Sequence, residues 1–131
     1  MEVRKKEFTY RGKVIEELKS MDIREFAKLL KSRQKRAILR DSQSIEKFIS
    51  RSNKKISKNK PIKTHQREMI IVPKMIGMKI QVYNGQKFIP FEVIGEMIGH
   101  RLGEFSPTRS KVTHGSAGIG ATKGSKHKSK K

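Results

Sequence analysis

Clusters of arginine and lysine are the side chains of this 131-residue chain with the clearest chemistry. Lys and Arg number 32 against 12 Asp and Glu, which gives a formal net charge of +20. The densest clusters, 31–40 and 51–63, contain no acid. A guanidinium group donates two parallel hydrogen bonds that match a phosphate, whereas an ammonium group acts as a point charge. Because uncompensated like charges oppose compaction, we expect the chain to bind a polyanion, with nucleic acid as the first candidate.

An anionic membrane is the second candidate, and the sequence argues against it. The longest run of large apolar residues, Met69 to Val72, is far shorter than a membrane span. Glu2 and Glu7 stand among the N-terminal cations without an apolar block, so we expect no signal peptide. The absence of cysteine fits a reducing compartment.

Patterns for catalysis, metal binding or nucleotide binding are weak. The four histidines are too far apart in sequence for a zinc motif. Glu96 and His100 stand four residues apart, but any pair on a helix surface has this spacing, and no third group is visible to orient them. The glycine-rich segment 118–124 lacks the third glycine of a dinucleotide loop and the Gly-Lys-Ser/Thr of a phosphate loop. We therefore expect no enzymatic activity, no cofactor and no metal.

Asn84-Gly85, between two runs of alternating apolar residues, predicts a β-hairpin. A two-residue type I′ turn needs positive φ at both positions, and it would pair Ile80 with Ile89. This register predicts one face that packs on a core and one that faces solvent. The first consists of Met78, Ile80, Val82, Ile89 and Phe91, and the second of Lys79, Gln81, Tyr83, Gln86 and Phe88. Pro90 cannot donate a ladder hydrogen bond, so its strand is expected at a sheet edge or a bulge. By pattern alone, the hairpin needs no function of its own.

The N-terminal half carries three helical signals. Apolar spacing predicts a short helix after Gly12. Asp22 and Glu25 have the spacing of a capping box for a second helix, whose apolar face should pack on a core. A third helix is predicted at about Ser44 to Ser52. The basic run 31–40 before it would usually be a solvated face, but its charge exceeds what solubility requires.

The remaining segments predict shorter elements and flexible arms. Segment 51–63 is interpreted as an extended linker that is mobile without a partner, because it has few apolar residues. Glu68 to Val72 predicts a strand. A short helix from Glu96 to Leu102, with Gly103 as its C′ residue, should follow the hairpin. Segment 110–131 has six lysines and no acid, and it is expected to be a flexible tail.

These elements predict an α+β fold class with three parts. Residues 1–61 form an N-terminal helical and basic extension, 62–109 a core RNA-binding domain, and 110–131 a flexible basic tail. A small apolar core between basic segments suits a protein that neutralises the phosphates of a folded RNA. With no Trp and only two Tyr, the sequence argues against a single-strand binder built on aromatic stacking.

Three motifs in the C-terminal half resemble the signature of a universal family of small-subunit ribosomal proteins. They are V-Y-N-G-Q-K-F-I-P-F-E-V, E-M-I-G-H-R-L-G-E-F-S-P-T-R and K-V-T-H-G. The family is numbered nineteen in bacterial nomenclature and fifteen in the eukaryotic one. The resemblance extends upstream through K-P-I-K-T-H-Q-R-E-M-I-I-V-P-K-M-I-G and covers residues 8–123. The N-terminal F-T-Y-R-G is similar to the archaeal and eukaryotic branch.

The resemblance implies a fold, a location and partners. The fold would be helices packed on a small mixed three-stranded sheet, with strands near Glu68–Val72, Met78–Tyr83 and Phe88–Val93. The protein would lie in the head of the small subunit, in the cytoplasm, bound to the 3′ major domain of the ribosomal RNA. Its protein neighbour would be the one numbered thirteen in bacterial nomenclature. The tail, 111–131, would point toward transfer RNA at the decoding region, and the role would be structural without catalysis.

The candidate RNA-binding residues come from the basic segments and from the family-like motifs, and arginines are preferred because they form bidentate phosphate contacts. They are Arg33, Lys35, Arg36, Arg40, Lys54, Lys55, Lys60, Lys63, His65, Arg67, Lys74, Lys79, Asn84, Lys87, His100, Arg101, Thr108, Arg109, Lys111, His114 and Lys123.

Two other functions stay open at this point. A DNA-compacting nucleoid protein would use the helices of 22–40, but it needs a dimer, and no periodic pattern supplies a dimer seam. An RNA-processing enzyme is the third possibility, and incubation of RNA with the protein would reveal any cleavage.

Overall fold

A computed structural model describes residues 7–127 of the chain. Within that range the chain folds into three α-helices, two small sheets and several 3₁₀ turns. The elements are β1 (Thr9–Tyr10), β2 (Lys13–Val14), α1 (Ile15–Ser20), α2 (Ile23–Ala27), α3 (Ser32–Ile56), β3 (Ile62–Thr64), β4 (Lys79–Tyr83) and β5 (Phe88–Glu92). The α+β class predicted from the sequence is therefore confirmed.

The N-terminal part is a two-stranded ribbon followed by two short helices. β1 pairs antiparallel with β2 through a turn in which Arg11 and Gly12 both have positive φ. The helix predicted after Gly12 is confirmed as α1, and the apolar face of α2 is buried as expected. Asp22 is the N-cap residue of α2, but its side chain makes no capping hydrogen bond. The predicted capping box is therefore wrong, and α2 is held by the burial of Ile23 and Phe26.

Helix α3 is far longer than the predicted third helix, Ser44 to Ser52. It includes the basic run 31–40 from Ser32 onward and the first six residues, 51–56, of what was interpreted as an extended linker. Its buried positions recur every three or four residues and form one stripe, which consists of Ile38, Ser42, Ile45, Ile49 and Ser52. Lys and Arg are good helix formers, so the dense charge is compatible with a helix. The helix is kinked at Asp41, which has non-helical φ and ψ. The linker prediction is wrong for 51–56 because this stripe continues through it.

The main sheet has three strands in the order β3-β4-β5 and is mixed, as predicted. β3 runs parallel to β4, and β5 runs antiparallel to β4. The strand predicted at Glu68–Val72 is wrong, because β3 takes that place in the sheet. Segment 69–73 is instead completely buried, and its backbone bonds to 99–102, with one isolated bridge between Ile70 and Arg101.

The hairpin of β4 and β5 has a longer loop than the predicted two-residue turn. Tyr83 pairs with Phe88, which leaves a four-residue loop at 84–87. Asn84 is not among the described residues with positive φ, and its Oδ1 accepts hydrogen bonds from the N–H groups of Gln86 and Lys87, both at 2.9 Å. The register therefore differs by two residues from the predicted one. A shift of two keeps each side chain on its face, so the predicted apolar and polar faces survive.

The helix predicted from Glu96 to Leu102 is replaced by two 3₁₀ turns, Gly95–Met97 and Leu102–Phe105. Gly99 lies between them with φ +82°, which breaks any continuous helix. Gly103 lies inside the second turn, so it is not a C′ residue.

One apolar core joins the helices to the sheet. Phe26, Ile38 and Ile80 are among its largest fully buried side chains, and Val72 and Leu102 come from the segments between the strands. Beyond Ser106, the side chains are exposed up to Gly124. The core therefore ends before the basic tail begins.

Candidate nucleic-acid interface

The basic run of α3 becomes an arginine cluster on one face of that helix. Arg33, Arg36 and Arg40 are exposed and are spaced three and four residues apart, which is the spacing of one helix face. They line the same pocket as Arg101, which the chain brings back from beyond the sheet. Four residues from the predicted set therefore meet at one site. Guanidinium groups at such a site can donate hydrogen bonds to successive phosphates of one nucleic-acid strand.

Two carboxylates lie at this arginine cluster without neutralising it. Asp41 and Glu68 line the pocket, but neither makes an ion pair with a described cation. Asp41 occupies the one non-helical position of α3, with φ −120° and ψ 23°. Because four arginines line the pocket against two carboxylates, its net charge is positive.

A second basic site is an open cleft of about 930 Å³ between α3 and β3. Helix α3 supplies one wall, and the edge strand β3 with the two residues after it supplies the other, including Lys63 and His65. Both walls carry cations, and Arg40 is shared with the arginine cluster, so the two sites are continuous. We call this surface the basic cleft; its cationic residues are Arg24, Arg40, Lys47, Arg51, Lys55 and Lys63.

Sequence reasoning missed three cations of the basic cleft: Arg24, Lys47 and Arg51. Lys47, Arg51 and Lys55 are four residues apart and lie on one helix face. This spacing is visible in the sequence, but it has meaning only once α3 is known to continue past Ser52. Recognition of the small buried residues Ser42 and Ser52 as part of the apolar stripe would have revealed the longer helix.

Arg67 is placed differently from the other candidates, because its guanidinium bonds to the protein backbone. It donates from Nη1 to the carbonyl oxygen of Tyr83 at 2.7 Å, and from Nη2 to those of Gly103 at 2.8 Å and Ser106 at 2.6 Å. The side chain is half-buried. Three of its five N–H donors are therefore used to join β4 to the segment after the sheet.

Asn84 and His100 also have partners within the protein. Asn84 closes the hairpin loop through Oδ1, and its Nδ2 donates to the carbonyl oxygen of Pro107 at 3.5 Å. His100 Nδ1 lies 2.7 Å from Glu104 Oε2, within hydrogen-bond distance of that carboxylate. Arg101 is half-buried beside it. Asn84 and His100 are therefore less free to bind a ligand than the cations of α3.

The other predicted residues are exposed but do not converge on one site. Lys35 lies on α3, Lys54 and Lys60 lie at and beyond its C-terminal end, and Lys79 is on the solvent face of the sheet. The hairpin loop and the 3₁₀ turn before β4 each present one lysine. These are Lys87 in the loop and Lys74 in the turn Pro73–Met75. The rest follow the core: Thr108, Arg109, Lys111, His114 and Lys123.

The described part of the chain has neither a cluster of metal ligands nor a membrane-spanning helix. No group of three or more His, Asp or Glu in 7–127 could hold a metal ion. None of the helices in this range is long and apolar enough to cross a lipid bilayer.

The comparison with known families bears directly on this basic, mixed α and β fold. The family model for ribosomal protein S19 matches residues 30–114, which include α3, the main sheet and the arginine cluster. The chain belongs to the ribosomal protein S19 family. The small ribosomal subunit protein uS19 of Methanococcoides burtonii is 46% identical to it over 123 residues, which are 94% of this chain and 88% of that relative.

Membership of the S19 family confirms the resemblance carried by the three motifs. The protein is a ribosomal protein of the small subunit, and so an RNA-binding component of a ribonucleoprotein that works in translation. The expected location, the ribosome in the cytoplasm, is confirmed with it.

Proposed function

We propose that the chain is a structural, non-catalytic component of the head of the small subunit and binds the 3′ major domain of the ribosomal RNA. The observation that carries this proposal is the meeting of Arg33, Arg36 and Arg40 with Arg101 at the end of the basic cleft. Four guanidinium groups and the lysines of the cleft supply the positive charge and the hydrogen-bond donors that a phosphate backbone needs.

The balance of charge supports RNA as the partner of this surface. Among the described residues, no Lys or Arg lies within ion-pair distance of a carboxylate, so the cations of α3 and the cleft have no carboxylate partner there. A folded RNA supplies closely spaced phosphates, and release of its counterions drives binding.

The test is the affinity of Arg36→Ala and Arg101→Ala for a transcript of the 3′ major domain. We expect each variant to bind about fivefold more weakly at fixed salt. The slope of log affinity against log salt should also fall, by the amount that about one phosphate contact contributes. Filter binding at four salt concentrations measures both. Lys19→Ala removes an exposed cation of α1 outside the cleft, and it should bind as the wild type does.

Three results would contradict this proposal. Wild-type affinity in both arginine variants would remove the cluster from the interface. Equal affinity for duplex DNA of the same length would favour a DNA-compacting protein. Cleavage of the transcript by the purified protein would mean that it is an RNA-processing enzyme.

We also propose that the tail, 111–131, points toward transfer RNA at the decoding region. The described part of this tail is exposed and basic, with Lys111, His114 and Lys123 among its residues. Because the chain has no cysteine, Ser116→Cys carries a single thiol for a cross-linker. Subunits assembled with this variant should cross-link to transfer RNA, whereas subunits with Lys19→Cys should not. Equal cross-linking from both positions would contradict the proposal.

The proposed protein neighbour is the small-subunit protein numbered thirteen in bacterial nomenclature. The family resemblance supports this partner. Mass spectrometry of lysine cross-links in intact small subunits should find that protein joined to this chain, and its absence among abundant cross-links would contradict the assignment.

A further inference from the structure

Three aromatic rings meet on the solvent face of the main sheet. They belong to His65, Tyr83 and Phe88, which we call the ring cluster. The ring centroids of His65 and Tyr83 are 4.8 Å apart, and each is 5.2 Å from that of Phe88. The sheet register explains the meeting, because Thr64 pairs with Val82 and Tyr83 pairs with Phe88.

The ring cluster is not part of the hydrophobic core. The core side of the same strands is formed by Ile62, Ile80 and Val82, which are buried. On the cluster side, His65 is exposed and the other two rings are half-buried. Cross-strand pairing explains the contact of Tyr83 with Phe88. It does not explain why a third ring and a cation join them on a face that solvent reaches.

Cations surround the ring cluster. Lys63 Nζ lies 5.3 Å from the centroid of the Phe88 ring, within the range of a cation–π contact. Lys79 is exposed on the same face, and Lys87 is exposed in the adjoining loop. A polyanion that reaches this face therefore meets positive charge around an aromatic surface.

The ring cluster also borders the basic cleft. Lys63 and His65 line that cleft from the side of β3, so they belong to both surfaces. A strand whose phosphates lie along the cleft passes directly beside the rings. Its bases are then the groups nearest to the aromatic faces.

We propose that the ring cluster is a stacking site for one unpaired nucleobase of the RNA strand that occupies the basic cleft. This inference rests on the proposed RNA-binding function and adds Tyr83 and Phe88 to the interface. Stacking needs only the π-face of a base, so the site accepts any unpaired base, and a base within a duplex cannot reach it. The small number of aromatic residues argues against a protein that binds RNA mainly by stacking. It does not argue against a single stacking site formed by three rings.

The test uses Tyr83 as its own reporter. The chain has two tyrosines and no tryptophan, so Tyr10→Phe leaves Tyr83 as the single strong fluorophore. We expect octaadenylate to quench its emission, and an RNA duplex with the same number of phosphates to leave the emission unchanged at equal occupancy. Full-length protein at one fixed ionic strength is used for both.

The second measurement is the affinity of Phe88→Leu for the same two RNAs. We expect about tenfold weaker binding of octaadenylate and unchanged binding of the duplex. The matched control is Phe91→Leu, which removes a ring from the opposite face of the same strand and should bind both RNAs as the wild type does. Circular dichroism checks that each variant is folded. If Phe88→Leu does not fold, the quenching experiment still tests the proposal, because it does not use that variant.

Four outcomes would overturn the stacking site. Two concern fluorescence: octaadenylate leaves the emission unchanged, or the duplex quenches it as well. The third is wild-type affinity of Phe88→Leu for octaadenylate. The fourth is an unchanged RNA affinity of Phe88→Leu together with the loss of this variant from small subunits. The last would mean that a protein covers this face. In each of these cases the duplex still binds, so the proposed function stands; failure to bind any RNA would overturn both.

Discussion

At the scale of single residues, Arg67 shows that a cation of this chain can serve the fold. Its guanidinium donates to the carbonyl oxygens of Tyr83, Gly103 and Ser106, which lie in two different segments. Without these bonds, three backbone acceptors would need new partners, and a partly buried acceptor without one is costly. The planar fork of arginine serves several acceptors at once, and lysine has no such geometry.

We predict that Arg67→Lys lowers the free energy of unfolding by about 2–3 kcal/mol, because at least one of these charged hydrogen bonds is lost. Urea denaturation followed by circular dichroism measures the change. Arg33→Lys makes the same replacement at an exposed position of α3, and it should change stability by less than about 0.5 kcal/mol. Equal stability of the two variants would show that the Arg67 bonds do not hold the fold together.

Gly99 carries a second prediction at this scale, because its φ of +82° is unfavourable for other residues. A Cβ atom here would lie 3.0 Å from Leu30 Cδ2 and 3.2 Å from Tyr10 Oη. We predict that Gly99→Ala costs about 2–3 kcal/mol, from backbone strain and from crowding. Gly115→Ala is the control, because a Cβ there meets nothing within 4 Å. A thermal melt in which both variants match the wild type would contradict the argument.

At the scale of elements, the sequence predicts those parts of the fold that have a regular apolar pattern. The spacing of apolar residues identifies α1, α2 and the two faces of the hairpin. It fails for α3, because cations and buried serines fill much of that helix, and the one buried apolar residue before Asp41 is Ile38. It also fails for β3, a three-residue strand of the parallel pair, which is too short to show any period.

The sequence likewise predicts only part of the candidate interface. The sequence identifies the arginines of 31–40 and Arg101 by charge and by family motif. Their meeting depends on the path of the chain from the sheet back to α3, and a sequence pattern does not contain that path. For the same reason, Tyr83 and Phe88 are predicted as solvent-facing positions, whereas their contact with His65 depends on the parallel pairing of β3 with β4.

At the scale of the whole molecule, the fold separates an apolar core from several basic surfaces. The core ends at Ser106, and the side chains that follow are exposed up to Gly124. Within 110–127, the hydrogen bonds of the described residues stay inside the tail, as in the bond from Gly120 N to Ser125 Oγ at 3.0 Å. The described part of the tail therefore adds positive charge and makes no hydrogen bond to the core.

We predict that deletion of 110–131 leaves the fold intact and weakens the dependence of RNA binding on salt. The deletion removes six lysines and no acid, and it removes no hydrogen bond between described residues of the core. The midpoint of a thermal melt should change by less than about 3 °C, since exposed segments contribute little to stability. The slope of log affinity against log salt should fall by about 0.7–0.9 for each tail lysine that neutralises a phosphate.

A second variant separates the charge of the tail from its length. Replacement of all six tail lysines by glutamine keeps the segment and removes its cations, so it should reproduce the smaller salt slope of the deletion. A wild-type slope in the glutamine variant would mean that the tail acts by its bulk or by specific contacts. Loss of the folded signal on deletion would show that the tail packs on the core, because only a segment that contributes buried contacts can unfold the rest when it is removed.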